Sequence, residues 1–246
     1  MPEGPTLVIL KEETARFEGQ HIIAAGGNTT ALDPAELVGQ PILALRTFGK
    51  QFIVQLPDFA FRIHFLLFGS YRVDEEKDRP PRLFMETEDG GVMNFYACSI
   101  KEIDPDIDAV YDWSADVMSP DWDATKALKK LRAAPATLVC DALLDQTIFA
   151  GVGNIVKNEV LFRIRVHPAS TVGGLSPAKL RELVAEARNY CFDFLGWKKA
   201  FVLKQHWLAH AKTICPRCNI PFRKAHFGVT NRRAFFCERC QKRYPK

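Results

Sequence analysis

The sequence predicts an α+β chain in three parts: an N-terminal β-sandwich flanked by helices, a helical middle domain, and a small C-terminal β-hairpin finger that binds metal. Three observations predict it. Between residues 37 and 103 the apolar residues come in short β-branched and aromatic runs separated by turn residues. From residue 123 the spacing changes to that of helices. Residues 212–246 then carry two Cys-x-x-Cys pairs among basic and aromatic residues. The domain boundaries expected from these changes are 1–112, 113–211 and 212–246.

In chain order, Leu7, Leu10, Thr14 and Phe17 place a helix over residues 6–18, beginning just after Pro5. The strand-like runs that follow are broken at Gly49-Lys50, Pro57-Asp58 and Asp89-Gly90-Gly91. Residues 74–82 form a polar loop that ends in Pro80-Pro81, and residues 104–121, rich in Asp and Pro, are expected to be a linker. Helices are expected over 123–134, 136–145, 153–162 and 176–195, with Asp123 capping the first and Ser176-Pro177 opening the last. No internal repeat or low-complexity tract interrupts them.

Composition narrows the class. The 246 residues suffice for two modest domains, and the 47% hydrophobic share is ordinary for a folded chain. No run of eighteen apolar residues exists, so no membrane span is expected, and the start MPEGPTLVIL lacks the basic region of a signal peptide. A cytoplasmic protein is the expectation. The net charge of +4 hides a strong asymmetry: residues 196–246 hold thirteen Lys and Arg against the single acid Glu238, and residues 1–195 hold twenty against twenty-eight acids. A basic module rich in Cys and aromatic residues suits a polyanion.

Cys215 and Cys218, then Cys237 and Cys240 after eighteen intervening residues, supply four thiolates in two close pairs. Zinc favours that tetrahedral set, and a rubredoxin-like iron or an iron–sulfur centre is the other occupant of such a site. With every position a thiolate, no place is open for water, so the ion is expected to be structural and catalysis must come from elsewhere. The remaining cysteines, Cys98, Cys140 and Cys191, stand alone in apolar stretches and read as small buried hydrophobes. A strand pair fits between the finger's cysteines, with Arg232 and Arg233 near its tip, either solvated or forked onto a phosphate.

Proline in second place permits removal of Met1, which would leave the chain starting on the secondary amine of Pro2. An α-amino group has a pKa of about 7.7–8.0, so part of it is an uncharged nucleophile at neutral pH. Glu3 beside it is an acid within reach. Many chains with proline there use it for nothing, so this feature alone decides little.

Three motifs in order do decide: MPEGP at the start, LLDQTIFAGVGNIVKNEVLF at 143–162, and CPRC…RRAFFCERCQK at 215–242. With them the chain resembles the formamidopyrimidine-DNA glycosylase/endonuclease VIII family over essentially its full length. The second motif is similar to that family's helix–two-turn–helix signature and the third to its zinc finger. The resemblance implies that Pro2 is the nucleophile that forms a Schiff base and that Glu3 is the acid that protonates the sugar ring oxygen. Lys50, by itself a polar turn residue, corresponds to a phosphate-binding lysine. Asn154 and Arg232 correspond to a phosphate-binding asparagine and finger arginine. Leu67 and Phe68, which could also simply pack in a sheet, resemble the wedge that fills the space left by an extruded base.

The implied activity is that of a bifunctional DNA glycosylase and abasic-site lyase with β,δ-elimination, acting as a monomer on damaged double-stranded DNA and carrying one structural Zn(2+). Gly4, the lack of arginine in NFYACSI (94–100) and the short stretch before the finger (194–212) tilt the resemblance toward the endonuclease VIII branch. Oxidised pyrimidines, or ring-opened and further-oxidised bases, are then the expected substrates. Thr6 stands where the family usually has glutamate, which motivates the alternative of an abasic-site or lesion-binding protein with lyase but little or no glycosylase activity. A zinc-ribbon module for transcription or RNA would share the finger but would leave MPEGP and GVGN without purpose.

Overall fold

Helix α1 (Gly4–Thr14) opens the first of two units in the computed structural model, which describes residues 2–245 and divides into Met1–Asp112 and Trp113–Lys246. The helix starts at Gly4, earlier than its apolar spacing suggests, because Pro5 in the first turn lacks an N–H that would have no partner there anyway. It buries Leu7 and Leu10 and tightens into a 3-10 turn over Ala15–Phe17.

Eight strands follow: β1 (Ile22–Gly26), β2 (Ala44–Phe48), β3 (Gln51–Gln55), β4 (Ala60–His64), β5 (Ser70–Val73), β6 (Leu83–Thr87), β7 (Val92–Tyr96) and β8 (Ser99–Ile103). They pair as two antiparallel four-stranded sheets, ordered β1-β6-β7-β5 and β2-β3-β4-β8. One apolar core joins Phe52, Val54, Phe61 and Ile63 of one sheet to Met85, Met93 and Phe95 of the other, so the expected sandwich is present. The three expected turns all fall between strands, and Gly49 (φ 56°) supplies the left-handed residue that closes β2 onto β3.

The junction of the two units, Asp112/Trp113, lies within residues 104–121, but the stretch is not a loose linker. Helix α2 (Ile107–Val110) is capped by Asp106, and Ala115 and Val117 are buried. The acidic side chains that suggested a loose segment cap its turns: Asp104 Oδ1 accepts from the Asp106 N–H at 2.8 Å, and Asp116 Oδ1 from the Met118 N–H at 2.8 Å.

The second unit is mainly helical before its finger. Asp123 caps α3 (Ala124–Ala133) by accepting from the Thr125 and Lys126 N–H groups. The expected helix over 136–145 is only α4 (Val139–Ala142), because Asp145 begins a new turn in which its carboxylate takes the Thr147 N–H at 2.8 Å. Successive turns lead to α5 (Asn154–Arg163), and Ser176 caps the long α6 (Pro177–Lys199), which runs beyond the expected end. Val139, Leu143, Val156, Val160, Leu183 and Ala187 form its core. The finger hairpin consists of β9 (Arg223–Phe227) and β10 (Arg232–Phe236). No helix among the described residues is long and apolar enough to cross a membrane.

Candidate functional site

At the head of α1, Pro2 is half-buried and Glu3 is fully buried. Glu3 is the N-cap residue, with extended backbone (φ −117°, ψ 172°), and its carbonyl accepts the Thr6 N–H at 2.8 Å. Glutamate is almost never fully buried without a specific partner, and a buried carboxyl is a group that acid–base chemistry can use. Met1, whose removal the Pro2 amine requires, lies outside the described residues. Thr6 is half-buried in the first turn of the same helix.

Helix α1 packs against β2 and β3, the strands that carry the Gly49-Lys50 turn. Lys50 is half-buried there, and the next residue, Gln51, pairs with His64. Burial, then the charges of Lys50 and Arg62, lower the His64 pKa below its usual 6.5, so the ring is neutral at pH 7. Its Nδ1 accepts the Leu66 N–H at 3.1 Å, which holds the loop that follows β4.

That loop carries Leu67 and Phe68 into solvent. Leu66, Leu67 and Phe68 are 50%, 47% and 82% exposed, so none of them packs in the sheet. The loop is pinched at its base by the Gly69 N–H, which donates to the Phe65 carbonyl at 2.7 Å. Leu66 and His64 belong to this feature, and the sequence reading missed both; the only signal was a histidine placed at the strand end just before an apolar turn.

In the second unit, Gly151 (φ 99°) closes the turn before α5, and the Gln146 amide clasps it by donating to Val152 O at 3.2 Å while its Oε1 accepts the Gly151 N–H at 3.2 Å. Asn154 is the first residue of α5, whose N-cap residue is Gly153. Its Oδ1 is buried with no hydrogen-bond partner among the described residues. The orphaned oxygen calls for a donor, and the Nδ2–H groups of the same amide are the atoms that could meet an anion at a helix N-terminus.

Arg232 is exposed at the turn end of the finger hairpin, paired with Phe227. The structure brings its strand against α5. Asn158 donates to Asn154 O at 2.7 Å and accepts the Phe235 N–H at 3.0 Å, and Lys157 Nζ donates to Arg233 O at 3.1 Å. Glu159, fully buried, accepts the Leu208, Ala209 and His210 N–H groups at 2.9, 2.9 and 2.7 Å. Arg217, inside the first Cys pair, donates to Phe162 O at 2.7 Å at the end of α5. Lys157 and Asn158 thus fasten the finger and Glu159 the segment that leads into it, a role that helical spacing cannot reveal.

The sulfurs of Cys215, Cys218, Cys237 and Cys240 all lie within 4.8 Å of one another, and Cys215 and Cys240 are 3.7 Å apart. A tetrahedral ion with bonds of about 2.3 Å places its sulfurs about 3.8 Å apart, so the set fits one structural metal ion. Cys98, Cys140 and Cys191 are buried, and burial pushes the thiols of Cys98 and Cys140 up to about 11.

Residues 114–191 match the formamidopyrimidine-DNA glycosylase H2TH domain. The chain is 27% identical to endonuclease 8-like 3 of Xenopus laevis over 97% of its length, but spans only 42% of that protein. It is also 27% identical to a DNA-(apurinic or apyrimidinic site) lyase, Nei2, of Mycolicibacterium smegmatis, covering 98% of this chain and 99% of that one. Among solved structures it is similar to a Lactococcus lactis formamidopyrimidine DNA glycosylase bound to DNA with an abasic site, at a TM-score of 0.84 and 23% identity, covering 98% of this chain and 100% of the other.

Proposed function

Because the chain belongs to the formamidopyrimidine-DNA glycosylase/endonuclease VIII family, on the side of its endonuclease 8-like members, we propose that it is a bifunctional DNA glycosylase and abasic-site lyase for oxidised bases in duplex DNA. The observation that carries this reading is the fully buried Glu3 next to Pro2.

With Met1 removed, the Pro2 amine attacks C1′ of the damaged nucleotide, forming a C–N bond as the glycosidic bond breaks; its electron pair leaves with the base, which takes up the proton that the amine loses. Glu3 gives a proton to the sugar ring oxygen, the ring opens, and an iminium ion remains. The iminium acidifies the C2′ proton; its removal expels the 3′ phosphate, and a second elimination expels the 5′ phosphate. The product is a one-nucleotide gap bounded by phosphates. Lys50, Asn154 and Arg232 hold backbone phosphates, which position the duplex without reading its sequence. Leu67 and Phe68 occupy the stack from which the nucleotide has left. Zinc on the four cysteines supplies fold stability to the finger and no chemistry.

The kinship with the mycobacterial lyase, which spans both chains nearly end to end, supports this reading. Single-turnover assays on duplexes with thymine glycol, dihydrouracil, ring-opened purine, 8-oxoguanine opposite cytosine, or a pre-formed abasic site test it. Faster excision of the pyrimidine and ring-opened lesions than of 8-oxoguanine is expected, and a clear preference for 8-oxoguanine rejects the endonuclease VIII-like assignment of substrate. Thr6 in the first turn of α1 favours a second reading, in which the abasic site is cleaved but no base is released; the same panel separates the two.

A further inference from the structure

We infer that Asp141 is the positioning residue for the finger's phosphate-binding arginine, an inference that rests on the reading of Arg232 given above. Asp141 lies in α4 and is 7% exposed. Its partners are 88 and 89 residues away, in the turn that joins β9 to β10. Oδ2 accepts the Val229 N–H at 3.0 Å; Oδ1 accepts the Thr230 N–H at 3.1 Å and the Thr230 hydroxyl at 2.6 Å. A buried carboxylate needs such donors, and here the hairpin tip supplies them.

The fit leaves no room. Gly228 (φ +64°) passes so close that an added Cβ would fall 1.8 Å from Asp141 Oδ2. The tip then runs through Asn231, itself in the left-handed region at φ 46°, into Arg232. Downstream of Arg232 the strand is held by α5, through Lys157 on Arg233 O and Asn158 on the Phe235 N–H. Upstream, Asp141 provides the hold. The backbone of Arg232 is therefore fixed from both sides while its side chain stays exposed, which lowers the ordering cost of a contact with phosphate. Asp141 touches no DNA in this scheme; it acts through Arg232.

A double-mutant cycle tests this. Binding of a labelled duplex carrying a tetrahydrofuran abasic-site analogue is measured over a salt series for the full-length wild type, Arg232→Ala, Asp141→Ala and the double variant. Arg232→Ala should weaken binding about tenfold and lower the slope of log affinity against log salt by about one. Asp141→Ala should reproduce most of both effects, and the double variant should bind no more weakly than Arg232→Ala. Additive losses, or Asp141→Ala binding like wild type, overturn the inference. An Arg232→Ala variant with unchanged affinity and slope overturns the phosphate reading beneath it, and the inference with it. Zinc content and a retained thermal transition establish folding. Should Asp141→Ala not fold, Thr230→Val removes one of the three hydrogen bonds and should cost about threefold in the wild-type background and nothing in Arg232→Ala; an equal cost in both backgrounds overturns the inference.

Discussion

Glu3 has no surface in contact with water, and in the proposed reaction its carboxyl is the acid. Glu3→Gln keeps the shape and removes the acid. Base release from a thymine glycol duplex should fall by about a hundredfold or more, while cleavage at a pre-formed abasic site should fall far less, since no intact base needs expelling. Equal losses would assign Glu3 to folding. His64 adds a pH dependence. Its pKa in the fold lies below 6.5 through burial and the charges of Lys50 and Arg62, so the stability carried by the neutral ring is complete above about 6.5 and is lost as pH falls toward the folded value. The proton added to Nδ1 removes its acceptor for the Leu66 N–H. The thermal midpoint of the wild type should exceed that of His64→Gln at pH 7.5, and the gap should narrow as pH falls below about 6.5; a constant gap would contradict the account. At this scale the sequence is read unevenly. Residue chemistry alone named the four cysteines, whereas Pro2, Glu3 and Lys50 came through resemblance. Gln146, Asn158 and Asp141 escaped notice because each meets its partner only after folding, up to 89 residues away for Asp141.

Among the elements, the loop after β4 carries the clearest prediction. Leu67 and Phe68 are exposed, so changing both to Ala should alter stability by no more than about 0.5 kcal/mol each, yet slow base release about tenfold or more by failing to hold the nucleotide out of the stack. A large loss of stability with unchanged base release would return these residues to a packing role. The finger depends on its metal. Cys237 is fully buried, and Cys237→Ala or chelation should release zinc, unfold the hairpin and weaken DNA binding; metal analysis and circular dichroism check this, and native protein without zinc or iron contradicts the tetrathiolate site. The strands and the long helices were legible because their period is written in the apolar residues, as in Phe52, Val54 and Ile63. Residues 104–121 were not, since Asp in a turn cap and Asp in a linker look alike until the N–H that it accepts is known. Helix α4 was overextended for the same reason: Asp145 caps a turn inside an otherwise helical pattern.

For the whole molecule, the charge asymmetry and the three ordered motifs together pointed to DNA, and the fold contains the expected sandwich, helical region and finger. The chain spans 42% of the Xenopus protein but nearly all of the mycobacterial lyase. The central claim is that the Pro2 amine is the nucleophile. An amide nitrogen has its lone pair tied into the carbonyl, and a lysine, with a pKa of about 10.4, is deprotonated roughly a hundredfold less readily than an α-amine. Borohydride reduction of the enzyme mixed with abasic-site DNA, followed by peptide mapping of the trapped adduct, tests this most directly. The account predicts an adduct on Pro2 that disappears when the terminus is blocked by an uncleaved tag. An adduct on Lys50, or full trapping with the terminus blocked, would contradict it.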